Sequence, residues 1–186
     1  MTRCIVNIGY LPLVDAAPLV IAHELGFAAE EGLVLNLLRQ PSWSTLRDLL
    51  AVGQLDAAHM LSPLPIAMTL GLSSIQVTVD ALMVLSVNGN VIGVSRPVAD
   101  AMRVAGWEGR FDTPYETGRA LAAATGSPRV GVPFPHSMHF ELLDYWFNSL
   151  GLSSAQMVTI PPPMMAQAVA AGEVDAFCVG EPWGSI

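Results

Sequence analysis

The chain has 186 residues and a formal net charge of −8, with 52% of its residues hydrophobic and 13% charged. That length suits one ordinary domain or two small lobes, and so apolar a composition excludes a disordered chain. All 8 basic residues are arginines, set against 16 acidic residues, so the chain has no basic stripe for nucleic acid.

The apolar stretch at residues 60–87 is the longest candidate for a membrane span. Pro63, Pro65 and Asp80 interrupt it, and no uninterrupted apolar run reaches the ~18 residues that a transmembrane helix needs. We therefore predict no direct membrane span. Cys4 and Cys178 each lie within an apolar run, which favours buried thiols over a disulfide.

Short strands alternate with helices in the first third of the chain. Gly26 and Gly53 mark helix ends, and Ser42 or Ser44 can cap the second helix. This alternation predicts βαβ units and a parallel sheet. The predicted strands are residues 4–9, 33–38 and 56–60, and the predicted helices are residues 17–25 and 45–52.

The last third repeats the pattern, and the region between the two is less regular. An Asn-Gly turn within residues 87–90 separates two strands predicted in residues 75–95. Further strands are predicted at residues 129–132, 157–160 and 175–179, and further helices at residues 98–104, 116–124, 138–149 and 164–171.

One segment occurs twice. Residues 51–57 read AVGQLDA and residues 170–176 read AAGEVDA, each with a glycine helix stop followed by Asp-Ala at a strand start. This repeat predicts an α/β fold of two lobes, each a β-α-β-α-β unit, with the first lobe in residues 1–88 and the second in residues 89–180. The alternative is that such segments are ordinary helix-to-strand loops.

Enzyme signatures are missing from the sequence. There is no nucleophile elbow, phosphate-binding loop or dinucleotide fingerprint, and there is no lysine to form a Schiff base. His136 and His139 are three residues apart and can share a helix face, which leaves a metal site as an alternative to a helix start that contains histidines. We predict a protein that is not an enzyme and uses no cofactor.

Several strand-to-helix loops carry polar groups. In PFPHSMH at residues 133–139, His136 or Ser137 can cap a helix whose free N–H groups attract anions, and His139 adds a donor. Asp15 can cap the first helix, which is the favoured interpretation, or point into a cleft. Trp43 either offers its indole N–H to a ligand or packs beneath its loop.

Six segments, taken in order along the chain, resemble the nitrate-, bicarbonate- and sulfonate-type solute-binding proteins of ABC transporters. They are residues 9–22, 42–48, 53–65, 88–90, 161–164 and 177–183. The resemblance implies a two-lobed periplasmic-binding-protein-like (type II) fold that holds a small inorganic anion in the cleft between its lobes.

The resemblance also implies site residues. Trp43 matches a tryptophan that lines the anion site, and His139 matches a histidine typical of nitrate binders, which favours nitrate or nitrite. Asn90 falls where nitrate binders carry a polar amide. With the loop residues, the predicted ligand-binding set is Asp15, Trp43, Asn90, His136, Ser137, His139 and Glu181.

One departure concerns a lysine that, in the family, neutralises the anion after the chain returns from the second lobe. This sequence has no lysine and ends at Ile186, so residues 181–186 are predicted to begin the return hinge, with another hinge strand near residues 86–90. We expect the chain to be truncated, to expose apolar surface and, as residues 1–186 alone, to bind anions weakly.

Two roles remain open at this point. The first is the binding component of an ABC-type uptake system, which delivers its anion to a permease. The alternative is a cytoplasmic nitrate or nitrite sensor of the same fold that controls a regulatory partner protein. The protein is periplasmic or membrane-associated if a signal peptide was removed, and cytoplasmic if the N-terminus is native.

Overall fold

The computed structural model describes residues 4–185, which divide into two compact units. The first unit ends at Gly89 and the second begins at Asn90. Each unit combines a small sheet with helices that connect its strands.

The first unit contains a three-stranded parallel sheet in the order β2-β1-β3. A 3₁₀ turn at Val14–Ala16 precedes its first helix. Its elements are β1 (Cys4–Tyr10), α1 (Ala17–Glu24), α2 (Phe27–Glu30), β2 (Leu33–Arg39), α3 (Trp43–Ala51), β3 (Ala57–Ala58) and α4 (Pro63–Thr69).

The second unit contains a four-stranded sheet in the order β4-β7-β5-β6. β4 runs antiparallel to β7, whereas β5, β6 and β7 are mutually parallel. Its elements are β4 (Asn90–Val94), α5 (Arg96–Val104), α6 (Pro114–Thr125), β5 (Arg129–Val132), α7 (Met138–Ser149), β6 (Gln156–Thr159), α8 (Met165–Ala170) and β7 (Ala176–Gly180).

Both units place the first of their three parallel strands between the second and the third. The predicted α/β fold with β-α-β-α-β units is therefore confirmed. Most predicted elements form within two residues of the expected bounds, and α7 has the predicted bounds. Ser42 and Ser137 are the N-caps of α3 and α7, each accepting a hydrogen bond from a backbone N–H of its helix's first turn.

The repeated Asp-Ala segment forms the same hydrogen bonds in both units. In the first, the Asn7 N–H donates to the Asp56 carboxylate at 2.8 Å, and the Asp56 N–H donates to the Asn7 carbonyl at 2.9 Å. In the second, Arg129 and Asp175 repeat both bonds at 2.8 and 2.9 Å. The aspartate thus fixes the register of the third strand against the first.

The second sheet is covered on both faces. Alternate residues of β5 and β7, including Val130, Val132, Ala176 and Cys178, pack with side chains of α5, α6 and α7. The opposite face packs against α8 through Met165, Ala168 and Val179. The alternation follows from the two-residue period of strands.

A glycine in each central strand lets a neighbouring element approach closely. A Cβ on Gly9 would lie 2.5 Å from Leu55 Cδ1, and one on Gly131 would lie 2.9 Å from Met165 Sδ. Gly9 and Gly131 each stand two residues after the strand residue that the aspartate binds, so they occupy equivalent positions in the two sheets.

Two expectations about the fold were wrong. The first strand predicted in residues 75–95 does not form: Ile75, Val77 and Val79 are more buried than the residues between them, yet the stretch pairs with no strand within residues 4–185, and a strand requires a partner. Leu82, Met83, Val84 and Val87 are exposed. Cys4 is also exposed, because β1 begins there, whereas Cys178 is buried as expected.

One helix was not predicted. The sequence analysis assigned no helix to the region of α4, where Pro63 occupies the first turn and Leu64, Ala67 and Met68 are buried. No helix in the part of the chain that the structure describes is long and apolar enough to cross a membrane.

Replacing Gly9 with alanine is expected to lower the free energy of unfolding by about 1–3 kcal/mol, because the added methyl must displace the buried Leu55 side chain. Urea denaturation measures this. Gly180→Ala is the control, since a Cβ there meets nothing within 4 Å. Equal stability of Gly9→Ala and the unsubstituted protein would contradict the tight packing of Leu55 on β1.

The Asp175 carboxyl should make stability depend on acid pH. Burial raises the pKa of Asp175, but hydrogen bonds from the Arg129 side chain and N–H outweigh it and hold the pKa below its usual value. The stability that this carboxylate contributes is thus complete above its unfolded pKa of about 3.9 and is lost as pH falls through the folded pKa.

Asp175→Asn should therefore flatten the decline of unfolding free energy when urea denaturation is repeated from about pH 5 to about pH 2.5. Asp56→Asn is the matched control, because Asp56 makes the same backbone bond without an arginine partner. Parallel pH profiles for the unsubstituted protein and Asp175→Asn would count against the Arg129–Asp175 interaction as the source of the effect.

Candidate functional site

Three polar side chains meet at the carboxyl edge of the first sheet. Asp15 lies on the turn after β1, Trp43 is the first residue of α3 after β2, and His59 directly follows β3. Because the three strands are parallel, the loops after them share one edge, which is where α/β proteins bind ligands.

Local interactions fix two of these positions. The Ser42 hydroxyl accepts a hydrogen bond from the Thr45 N–H at 3.1 Å, which starts α3 so that Trp43 turns inward and is only 2% exposed. The His59 N–H donates to the Gly9 carbonyl at 2.8 Å, and His59 is 3% exposed.

His59 contacts both of the other side chains. His59 Nε2 lies 3.2 Å from Asp15 Oδ2, and the His59 ring meets the Trp43 indole edge-on with centroids 5.2 Å apart. Trp43 Nε1, His59 Nδ1 and Asp15 Oδ1 are buried and have no hydrogen-bond partner within residues 4–185. A buried polar atom without a partner costs about 1–3 kcal/mol, so a cluster of three is more typical of a ligand site than of a core.

The favoured interpretation of Asp15 as a helix cap is wrong. Neither the 3₁₀ turn nor α1 has a side-chain cap hydrogen bond, and Pro18 near the start of α1 already lacks one of the donors that a cap would satisfy. Asp15 instead contacts His59, in line with the alternative that it points inward. His59 itself was not predicted, although its place directly after a short parallel strand indicates this edge.

The second group of predicted residues lies on the loop between β5 and α7. The Ser137 hydroxyl accepts from the Phe140 N–H at 3.2 Å and donates to the Phe134 carbonyl at 2.7 Å, with Ser137 fully buried. His139, in the first turn of α7, is 7% exposed. His136 precedes the helix and packs its ring against Phe134.

Asn90 and Glu181 lie at the same edge of the second sheet. Asn90 opens β4 and pairs with Gly180, the last residue of β7, directly before Glu181. β5 and β7 are parallel, so the loop with Ser137 and His139 also leaves from this edge. The structure therefore gathers five predicted residues in the second unit, and Asp15 and Trp43 in the first.

The metal alternative gains no support. Within residues 4–185 there is no group of three or more His, Cys, Asp or Glu side chains arranged to hold a metal ion. Burial raises the pKa of the Cys178 thiol to about 12, so this cysteine is a packed apolar side chain and not a nucleophile or ligand.

Two sheets, each with three parallel strands in the same order and buried polar groups at their carboxyl edge, are typical of the α/β class of two-lobed solute-binding proteins. Residues 4–186 match the NMT1-like family, and the chain belongs to that family. The resemblance inferred from the sequence is thereby confirmed.

Two relatives have nitrate import or nitrate binding in their names. The nitrate import ATP-binding protein NrtC of Synechocystis is 36% identical over 185 residues, covering 96% of this chain and 26% of that protein. The nitrate/nitrite binding protein NrtA of Nostoc is 33% identical over 187 residues, covering 96% of this chain and 41% of that protein.

A third relative has a different ligand in its name. The bicarbonate transport ATP-binding protein CmpC of Synechocystis is 36% identical over 183 residues, covering 95% of this chain and 26% of that protein. The chain thus spans less than half the length of each of these three relatives.

Solved structures agree with the fold. The periplasmic nitrate-binding protein NrtA from Synechocystis matches with a TM-score of 0.82 and 31% identity, covering 97% of this chain and 48% of that one. The alkanesulfonate-binding protein SsuA from Xanthomonas axonopodis matches with a TM-score of 0.59 and 20% identity, covering 100% of this chain and 57% of that one, a likeness of fold alone. These neighbours are binding proteins, in agreement with the prediction that the chain is not an enzyme.

Proposed function

We propose that the protein binds a small oxyanion, with nitrate or nitrite favoured, as the solute-binding component of an ABC-type uptake system. The observation that carries this proposal is the likeness to a nitrate-binding protein, at 31% identity and a TM-score of 0.82 over 97% of the chain. The two carboxyl-edge clusters support it from the residues themselves.

Trp43 supplies the first unit's contribution. Its indole N–H can donate but not accept, and it is buried without a partner among the described residues. An oxyanion presents only acceptors when it carries no proton, so its oxygen satisfies this donor. Burial strengthens the interaction, because water competes little for a donor that is 2% exposed.

The start of α7 supplies the second unit's contribution. This helix has 12 residues and begins from a buried cap at Ser137, and its first turn carries the positive end of the helix dipole. His139 stands in that turn and adds a ring donor. Asn90 and His136 can add further donors from the same edge, whereas Glu181 is negative and would act by orienting donors.

The preference among oxyanions rests on one side chain. The nitrate relative NrtC and the bicarbonate relative CmpC are both 36% identical to this chain, so overall identity favours neither anion. His139 favours nitrate or nitrite, because the resemblance associates a histidine at this position with nitrate binders.

The proposed partner is an ABC permease, which receives the anion from the bound protein. Relatives named as import and transport ATP-binding proteins support this partner. The proposed compartment is the periplasmic side of the membrane, as for the nitrate-binding protein of known structure. The alternative is a cytoplasmic sensor; co-purification of a regulatory protein released by nitrate would favour that role.

Isothermal calorimetry on the full gene product, titrated with nitrate, nitrite, bicarbonate and an alkylsulfonate, tests the proposal. Nitrate or nitrite should bind most tightly. Trp43→Phe keeps an aromatic ring but removes the donor, so it should weaken binding about 10- to 100-fold, as expected for one hydrogen bond to a charged ligand.

Trp107→Phe is the matched control. Trp107 is another tryptophan whose buried Nε1 has no hydrogen-bond partner among the described residues, but it lies on the loop after α5 and not at either carboxyl edge. Unchanged affinity in Trp43→Phe would remove Trp43 from the site. Failure of all four anions to bind would overturn the oxyanion proposal and favour an organic solute.

A further inference from the structure

We propose that His59, held by Asp15, takes up a proton when an oxyanion without an O–H group binds beside Trp43. The inference rests on the proposed function, since it concerns how the same first-unit cluster accommodates its ligand. It adds His59 and gives Asp15 a defined role, so that this pair contributes, together with His139, to which kind of oxyanion binds and at which pH.

The first step is to establish which ring nitrogen of His59 carries the proton in the neutral state. Asp15 Oδ2 lies 3.2 Å from His59 Nε2, and a carboxylate accepts hydrogen bonds, so this nitrogen holds the N–H. In the neutral ring Nδ1 is then an acceptor with a lone pair. That atom is buried and has no hydrogen-bond partner within residues 4–185.

The second step is the fit of a ligand to that atom. Trp43 Nε1 and His59 Nδ1 belong to rings in edge-on contact, with centroids 5.2 Å apart. Nitrate and nitrite present lone pairs to both nitrogens, which suits the indole N–H but repels a neutral Nδ1. A proton from the buffer on Nδ1 turns this acceptor into a donor, and no bond within the anion changes.

Asp15 stabilises the protonated form of the His59 ring. The carboxylate contacts the opposite nitrogen of the same ring, so the imidazolium that forms is already paired with a negative charge.

Other titratable groups on the surrounding elements are few. Tyr10 ends β1, and Arg47 lies one turn into α3 with its guanidinium 2.7 Å from Asp48. α4, which follows His59, carries no titratable side chain within Pro63–Thr69. Among the described residues, Asp15 is the one carboxylate that forms an ion pair with the His59 ring.

The arrangement separates two classes of oxyanion. Bicarbonate carries an O–H that can donate to a neutral Nδ1 while another oxygen accepts from Trp43. Bicarbonate should therefore bind without proton uptake, whereas nitrate and nitrite require it. The affinity for nitrate should rise by up to about tenfold for each unit that the pH is lowered through the range in which His59 is neutral.

Calorimetry of the full gene product at pH 8, repeated in buffers of different ionisation enthalpy, measures the protons taken up per anion. For nitrate we expect a value approaching one, and for bicarbonate a value near zero. Nitrate binding with no buffer dependence would overturn the inference while leaving the proposed function in place. Failure of every anion to bind would instead overturn the proposed function.

Two variants locate the proton. His59→Gln keeps an amide that can reach Asp15 but cannot titrate, so nitrate should bind without proton uptake and more weakly. Asp15→Asn changes a partly exposed residue and removes the counter-charge, so it should lower both proton uptake and nitrate affinity while sparing bicarbonate.

His23→Gln is the matched control, because His23 is exposed on α1 and should leave proton uptake unchanged. A buffer dependence that persists in His59→Gln would place the proton on another group and overturn the assignment. Circular dichroism checks that His59→Gln is folded; if it is not, Asp15→Asn decides the question alone.

Discussion

The hydrogen bonds between an aspartate before the third strand and the backbone of the first strand are the constraint on which both units depend. Asp56 binds Asn7, and Asp175 binds Arg129, with nearly the same distances. Each pair sets the register of a short third strand. That register determines which side chains the following loops place at the carboxyl edge, and β3, with two residues, has little other pairing to hold it.

The carboxyl edges of the two sheets differ in how their buried polar groups are satisfied. In the second unit, Ser137 satisfies both its donor and its acceptor functions locally and thereby starts α7. In the first unit, His59 contacts both Trp43 and Asp15, but each of the three leaves a buried polar atom without a partner among the described residues. A protein tolerates such a cluster where binding stabilises it, since an apolar replacement would be more stable in a simple core.

The related proteins share the fold of this chain, but their names give different ligands. Nitrate and bicarbonate relatives stand at equal identity to this chain, and the sulfonate-binding structure shares its fold at 20% identity. The role proposed for the His59–Asp15 pair would provide a physical basis for choosing between anions with and without a proton.

The sequence by itself determined the alternation of strands and helices, the two related halves, and the family, because periodicity, glycine stops and serine caps act locally. It also placed Trp43 and Ser137 in strand-to-helix loops. Only the tertiary structure decided that Asp15 contacts His59 and does not cap a helix, since residues 44 positions apart meet only once β1 and β3 pair. The same reason explains residues 75–79, which have a strand's alternation but pair with no strand within residues 4–185, because a strand is defined by its neighbour and not by its own residues.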